Sequence, residues 1–459
     1  MTAAAAAEYT EGLMNAAETE MAPSAATAPA RKRASIHTLG CRLNQSESNL
    51  LANALRAEGY ELTPFGAPAD LGIINTCTVT READAKSRQA IRAFIRRNPH
   101  AFTAVIGCYS QMGYKQLAEI EGVDLIVGNQ EKLNVLAYAA QGKTGQPLIV
   151  RDRIERDDFT IEAGASEPGL TRPNLKIQDG CNFMCSFCII PFARGRARSR
   201  DVANLMEEAR RLVARGAREL VLTGVNIGLY RHKGRDIVDV VEALNGVSGL
   251  DRIRISSIEP TTIPERLFAF MRDPDHALTP YLHIPLQSGS DCVLSIMKRK
   301  YTAAEFLEFI RAAAAAVPGL CIGTDVLAGS PGETDEDFEA TRTLLEESPI
   351  AYAHVFKYSE REGTPAARRA DQVDPETRNR RSAVLRRVSA EKKRRYMAAH
   401  VGQTLPVLFE RMEDGLWVGH TGNYIRVAAR STRATANTLR PVRLEAIRGD
   451  FMIGTADDA

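Results

Sequence analysis

Three cysteines within eight residues set the tightest constraint on this chain: Cys181, Cys185 and Cys188, in the run Cys181-Asn182-Phe183-Met184-Cys185-Ser186-Phe187-Cys188. They follow a strand-like stretch, Leu175 to Gln178, and the turn Asp179-Gly180. Thiolates on one tight loop can hold three corners of a cubic iron–sulfur cluster. The fourth iron is then left without a protein ligand and is open to a substrate or cofactor. A structural zinc site is the alternative. It asks for four closed ligands, and the nearest histidine downstream, His232, lies far outside the loop.

From Ser35 the chain alternates short apolar runs with helical stretches. Strands are predicted at Ile36 to Leu39, Leu71 to Asn75, Phe102 to Ile106 and Val123 to Val127, and helices at Asn44 to Glu58 and Arg81 to Arg97. Such alternation indicates a parallel α/β sheet, here assigned to residues 34–145. Cys41, Cys77 and Cys108 each follow one of the first three strands. Ligand sites in open parallel sheets lie beyond the carboxyl ends of strands, so these three thiols converge on one crevice and suit a second cluster. Taken singly, each reads equally as a small buried hydrophobe. Residues 146–172 mix Gly, Pro and charge with little periodicity and read as a linker.

Residues 173–375 carry six further strand–helix units, with strands near 175–178, 219–223, 252–256, 281–285, 321–326 and 352–356. Six units suggest an incomplete barrel whose open side can admit a macromolecular substrate, with active residues at the strand ends. Gly224 and Asn226 in Thr223-Gly224-Val225-Asn226, Glu259 in Ser256-Ser257-Ile258-Glu259-Pro260, and Asp325 before the glycine-rich run to Thr334 stand at such ends. Each is also ordinary turn chemistry. Cys292 and Cys321 fit no cluster spacing and read as structural, and His283 and His354 read as core histidines.

A chain of 459 residues exceeds what one core supports. Its charged fraction of 25% and net charge of +2 are ordinary for a globular protein, and no uncharged apolar run is long enough to cross a bilayer. Residues 1–33 read as a disordered tail rather than a targeting peptide, with Met21 a second candidate start, and the eight cysteines read as reduced thiols in a cytoplasmic setting. Residues 376–400 form a basic helix rich in Arg and Lys, read either as a solvated face or as a phosphate contact. Residues 401–459 read as a small all-β barrel, in which Trp417 and Tyr424 are candidates for stacking on RNA bases.

The cysteine trio resembles the signature of radical S-adenosylmethionine (SAM) enzymes. The words Thr38-Leu39-Gly40-Cys41-Arg42-Leu43-Asn44-Gln45, Asn75-Thr76-Cys77-Thr78-Val79-Thr80 and Gly107-Cys108-Tyr109-Ser110-Gln111 are similar to the three cysteine motifs of the methylthiotransferase family. The C-terminal segment resembles the TRAM module of those enzymes, and the resemblance spans Ser35 to Ile453. It implies an α/β multidomain chain: an N-terminal parallel α/β sheet domain, a central partial (β/α)6 radical SAM barrel and a C-terminal TRAM barrel. It also implies two [4Fe-4S] clusters, one on Cys181, Cys185 and Cys188 and an auxiliary one on Cys41, Cys77 and Cys108. SAM would lie near Phe187, Gly224, Asn226, Glu259 and Asp325. Within the family the words are most similar to the branch that methylthiolates N6-threonylcarbamoyladenosine beside the anticodon of ANN-decoding tRNA. The partners implied are that tRNA, a reducing electron donor and a sulfur donor, with no membrane. The alternatives are the family's other substrates, isopentenyladenosine in tRNA or a ribosomal protein aspartate, and, from another class, a non-enzymatic RNA-binding iron–sulfur protein.

Overall fold

The computed structural model describes residues 31–162, 171–433 and 436–457. The expected tail and Met21 lie outside the described residues, except that Arg33 already opens the first strand. The N-terminal sheet has six parallel strands: β1 (Arg33–Thr38), β2 (Glu61–Leu62), β3 (Leu71–Thr76), β4 (Phe102–Gly107), β5 (Leu125–Val127) and β6 (Leu148–Val150). Their order is β2-β1-β3-β4-β5-β6. All six residues of β3 are buried, as an apolar run covered on both faces demands. Helix α1 (Arg42–Ala57) covers one face, where Leu51 and Leu55 meet Ile73, Ala104 and Val127. Helix α2 (Arg81–Arg97) covers the other, where Ile91 and Phe94 meet Ile74, Val105 and Ile126. Thr80 caps α2 by accepting from the Ala83 N–H, and Glu82 and Asp84 suit the positive end of its dipole. A short helix, α3 (Cys108–Met112), follows β4 directly.

The stretch expected as a linker is not wholly a connector. Its Leu148–Val150 pairs with β5 as an edge strand, and Ile161 is buried. Three apolar residues in polar surroundings are too short a run to show a period.

The central domain supplies β7 (Asn174–Lys176), β8 (Glu219–Thr223), β9 (Arg252–Ile255), β10 (Tyr281–His283), β11 (Cys321–Ala328) and β12 (Tyr352–Lys357), all near the expected positions. They pair in parallel as two three-stranded sheets, β9-β8-β7 and β10-β11-β12. Hydrogen bonds from Ile253 N to Ala277 O (2.8 Å) and from Thr279 N to Ile253 O (2.9 Å) join the two sheets. No pairing closes β7 onto β12, so the barrel stays open. One apolar core, including Leu175, Leu222, Ile255, Leu282, Ile322 and Val355, runs through all six strands. Helix α4 (Ile190–Arg194) follows the cysteine trio.

The last strands, β13 (Thr404–Glu413), β14 (Leu416–Thr421), β15 (Arg426–Arg430), β16 (Thr438–Arg448) and β17 (Phe451–Ala456), close into a barrel in the order β13-β14-β15-β17-β16. Two arginines of β9 hold this barrel to the central domain. Arg252 donates to the carbonyls of His420 (2.8 Å) and Pro406 (2.7 Å). Arg254 donates to Gly422 O (2.9 Å) while its Nε binds Glu219 at 2.6 Å. The Tyr424 ring lies under the guanidinium of Arg254 at 4.8 Å and under those of Arg172 and Arg42 at 5.7 Å each, so the ring expected to stack on RNA is already engaged. Trp417 packs against Phe409 and the barrel core.

Helix α5 (Pro375–Ala398) bridges the two domains, and part of its basic run is structural. Arg381 is buried against Glu333 at 2.7 Å, and Lys392 is buried with its ammonium on the carbonyls of Ser348 (2.7 Å) and Glu346 (3.0 Å).

Burial would raise the Glu219 carboxyl, but Arg254, Arg172 and Arg252 outweigh it and hold the group at about 2, against an ordinary 4.5. A carboxylate depressed on folding stabilises fully above its unfolded value and loses that stabilisation as pH falls through its folded one. The contribution of about 3 kcal/mol is therefore lost as pH falls from 4.5 toward 2. Arg254→Ala, which leaves the buried Glu219 only the more distant Arg172 (3.8 Å) and Arg252 (4.0 Å), is expected to cost about 3 kcal/mol in urea unfolding at neutral pH. A cost below about 1 kcal/mol would mean that the pair does not hold the barrel.

Candidate active site

The carboxyl ends of β1, β3 and β4 bring Cys41, Cys77 and Cys108 together. Cys41 occupies the N-cap of α1, and Cys108 opens α3. Gly40, at φ +101°, lies so close to Cys77 that a Cβ on it would stand 2.7 Å from the Cys77 Cβ. Gly107, at φ +99°, is pressed against Asn75 in the same way, with a would-be Cβ 2.5 Å from Oδ1. Polar side chains tie the strand ends together. Asn44 donates to Leu39 O (2.8 Å) and Thr76 O (3.0 Å), and Asn75 donates to Asn44 O (3.0 Å) and Ser48 Oγ (3.0 Å). Burial, reinforced by Cys108 and Cys41, pushes the free Cys77 thiol up to about 12.

The second trio sits on the loop after β7, pinned by Cys181 N to Gly195 O (3.1 Å), Ser186 N to Met297 O (3.0 Å) and Cys188 N to Cys185 O (3.1 Å). Burial pushes Cys181 up to about 11 and Cys188 up to about 12. Arg299 reaches Cys185 Sγ at 3.2 Å and pairs with Glu259, whose own carboxyl burial raises. Asn226 is buried with Oδ1 accepting from Glu259 N at 3.3 Å, while its Nδ2 has no acceptor among the described residues. Gly224 packs against Gln178, whose Oε1 accepts from Val225 N (2.9 Å) and Asn226 N (3.1 Å). Phe187 rests half-buried on Val293, Met297, Leu327 and Tyr358. Asp325 lies 3.0 Å from His283 Nε2 and 3.5 Å from His354 Nδ1. Burial would raise it, and the two imidazoles hold it low. His283 is buried and satisfied by Asp325, as expected of a core histidine, although it also lines the cavity described next, whereas His354 is exposed and so is not the core histidine expected.

One cavity of about 1500 Å³ connects the domains. Cys41, Cys77 and Cys108 line one side, and Gly224, Ser256, Ser257, His283 and Asp325 at the barrel strand ends line another. Arg386 and Lys393 of α5 and Tyr424 and Arg426 of the C-terminal barrel complete it. Exposed Phe356 and Val79 also face the space.

The donor chemistry fits iron–sulfur clusters. All eight cysteines are free. Among the described residues, the only set of potential metal ligands within 4.8 Å of one another is His283, Asp325 and His354, so neither cysteine trio is that compact. A mononuclear zinc site holds its sulfurs about 3.8 Å apart, given tetrahedral bonds of about 2.3 Å; the corners of a cluster lie further apart. The orphaned Asn226 amide, buried beside Glu259, offers a donor to a ligand at this end of the barrel.

Residues 33–128 match the model described as "Uncharacterized protein family UPF0004", and residues 175–345 match the Radical SAM superfamily. A threonylcarbamoyladenosine tRNA methylthiotransferase, MtaB, of Bacillus subtilis is 38% identical over 425 residues, 89% of this chain and 92% of that protein. The chain belongs to the radical SAM tRNA methylthiotransferase family. The MtaB of Aquifex aeolicus is 33% identical, covering 89% of this chain and 99% of its own length. A tRNA-2-methylthio-N(6)-dimethylallyladenosine synthase of Roseobacter denitrificans is 34% identical over 91% of this chain and 97% of its own length. Among solved structures, the radical S-adenosylmethionine methyltransferase TsrM of Kitasatospora setae is similar in fold, with a TM-score of 0.52 at 17% identity, covering 73% of this chain and 77% of that one. No helix among the described residues is long and apolar enough to cross a membrane.

Sequence reasoning missed Arg299, which joins Cys185, 114 residues away, to Glu259, 40 residues away, because ties over such separations leave no spacing to read. In this methylthiotransferase, Cys77→Ala and Cys181→Ala are each expected to halve the iron bound after anaerobic reconstitution, and the double variant to bind almost none. Because Cys77, Cys181, Cys185 and Cys188 are pushed up, metal uptake must release protons, and iron incorporation is expected to fall as pH is lowered. Loss of all iron in either single variant would contradict two independent sites.

Proposed function

We propose that this chain installs a methylthio group at C2 of N6-threonylcarbamoyladenosine in tRNA, giving 2-methylthio-N6-threonylcarbamoyladenosine. The observation that carries this reading is the cavity that Cys41, Cys77 and Cys108 share with the strand ends of the barrel, in a chain 38% identical over 89% of its length to an MtaB enzyme. When bound, the two clusters and SAM supply the carbon radical that takes the C2 hydrogen, the sulfur that replaces it and, from a second SAM, the methyl group.

The chain's own residues hold and orient. Cys181, Cys185 and Cys188 would carry the radical-generating cluster, and Cys41, Cys77 and Cys108 the auxiliary one. Arg299 keeps Glu259 and Cys185 in register, and the Asn226 amide is placed to receive a SAM polar group. Gly224, Phe187 and Asp325 complete the proposed SAM wall. Loop bases of RNA are read after leaving their stack, and the exposed Phe356 offers an apolar face for one. Arg386, Lys393 and Arg426 on the cavity rim suit backbone phosphates. A cytoplasmic setting, ANN-decoding tRNA, a low-potential electron donor and an external sulfur source belong to the same reading.

Mass spectrometry of tRNA nucleosides from cells with and without the gene tests it. Loss of the methylthiolated nucleoside with accumulation of N6-threonylcarbamoyladenosine is the expected result. An unchanged profile, or loss of the methylthiolated dimethylallyl nucleoside instead, would overturn the substrate. With purified protein, Cys77→Ala is expected to keep forming 5′-deoxyadenosine while product falls below detection. Undiminished product would remove the auxiliary cluster from the reaction.

A further inference from the structure

A cluster of buried charge joins the two cysteine sets. Arg194, the last residue of α4, donates from Nη1 to Glu47 Oε1 (3.0 Å) and Asp179 Oδ1 (3.0 Å). Its Nη2 donates to Glu47 Oε2 (3.1 Å) and Asn44 Oδ1 (2.6 Å). Lys176 Nζ meets Glu47 Oε1 (2.8 Å) and Asp179 Oδ2 (2.6 Å), and Lys132 Nζ meets Glu47 Oε2 (2.5 Å). One end of the network reaches the auxiliary site, because Lys132 binds Asn129 Oδ1 at 2.8 Å and Asn129 Nδ2 stands 3.5 Å from Cys108 Sγ. The other end reaches the radical loop, because Asp179 Oδ1 accepts from Gly180 N at 2.8 Å, the residue before Cys181. Glu47 and Lys132 come from the N-terminal domain, and Lys176, Asp179 and Arg194 from the central one.

The charges do not balance. Three cations stand against two carboxylates, all nearly inaccessible to solvent, and Arg198 adds a further cation 3.9 Å from Asp179 Oδ2. An uncompensated buried cation costs several kcal/mol, so this surplus needs an anion nearby. Arg194 lines the cavity beside Cys41, Cys77 and Cys108. Burial would lower the Arg194 guanidinium, and Cys108 leads the groups that hold it protonated, ahead of Glu47 and Asp179. Three thiolates around a metal cluster carry net negative charge, which is the missing counter-charge.

We propose that Arg194, with Lys132 behind it, is the counter-charge of the auxiliary cluster: a positioning residue that raises that cluster's reduction potential and locks it at a set distance from the radical-generating loop. The inference rests on the two-cluster reading above. A nearby positive charge favours the more negative, reduced state of a cluster, so removing it lowers the potential.

The test uses full-length, reconstituted protein as parent, Arg194→Gln, Arg194→Lys and Lys132→Met. EPR-monitored redox titration is expected to give a lower auxiliary potential in Arg194→Gln with the other cluster unmoved, and a value near the parent's in Arg194→Lys. The ratio of 5′-deoxyadenosine to methylthiolated tRNA is expected to rise about tenfold in Arg194→Gln, the scale of a small misplacement of reacting groups. Lys132→Met reduces the buried cation surplus, so its metal-free form is expected to melt no lower than the metal-free parent, while its loaded form loses part of the cluster's stabilisation. That variant decides the matter if Arg194→Gln does not fold. Unmoved auxiliary potentials in the variants that fold, or a metal-free Lys132→Met protein that melts well below the parent, would overturn the inference and leave an ordinary interface ion network. A parent that loads only one cluster would instead overturn the two-cluster reading.

Discussion

The structure depends on one constraint of parallel sheets: every strand's carboxyl end lies on the same side. Two such sheets, one in the N-terminal domain and one in the open barrel, present those ends to a common cavity. Cysteines placed just after β1, β3 and β4 must therefore meet, although 67 residues separate the first from the last in the chain, from 41 to 108. The trio after β7 needs no such convergence, since its loop carries all three thiols. One site is assembled by topology and the other by local sequence, and the cavity joins the first to the strand ends of the barrel.

That arrangement is useful only if the domains keep their relation. Three sets of buried polar contacts do this. The Glu47–Arg194–Asp179 network fastens the N-terminal domain to the barrel. Arg252 and Arg254 fasten the C-terminal barrel by donating to backbone carbonyls of β13, β14 and the turn that follows β14. Arg361 donates to Thr78 Oγ1 (2.8 Å) and Asp84 Oδ2 (2.6 Å), tying the segment after β12 to the residue next to Cys77. Arginine suits all three places because its planar fork stays charged when buried and binds two partners at once. The open side of the barrel is thus walled by other domains, and what remains is a cavity with a rim of cations.

Much of this was legible from the chain alone. The strands of both sheets are apolar runs ended by Gly, Pro or Asp, and short-range pattern is enough to find them. The six cluster cysteines stood out because spacing marks one trio and strand ends mark the other. What escaped was of two kinds. Strands of two or three residues, Glu61–Leu62 and Leu148–Val150, are too short for a period to register. Long-range ion pairs leave no local trace: Arg194 and Glu47 lie 147 residues apart, and Arg381 and Lys392 look in sequence like any other cation of the basic helix. Tyr424 was singled out for its aromatic ring, but three arginines from elsewhere in the chain already occupy its surroundings. His354 and His283 were set aside as core residues, and only the pairing of β10, β11 and β12 shows them flanking Asp325.

EPR of the anaerobically reconstituted and reduced protein, recorded with and without SAM, tests the two-site arrangement most directly. Two cluster signals are expected, of which SAM perturbs only the one absent from Cys181→Ala, while the signal absent from Cys77→Ala keeps its shape. A single signal, or a SAM effect that survives in Cys181→Ala, would contradict two distinct centres.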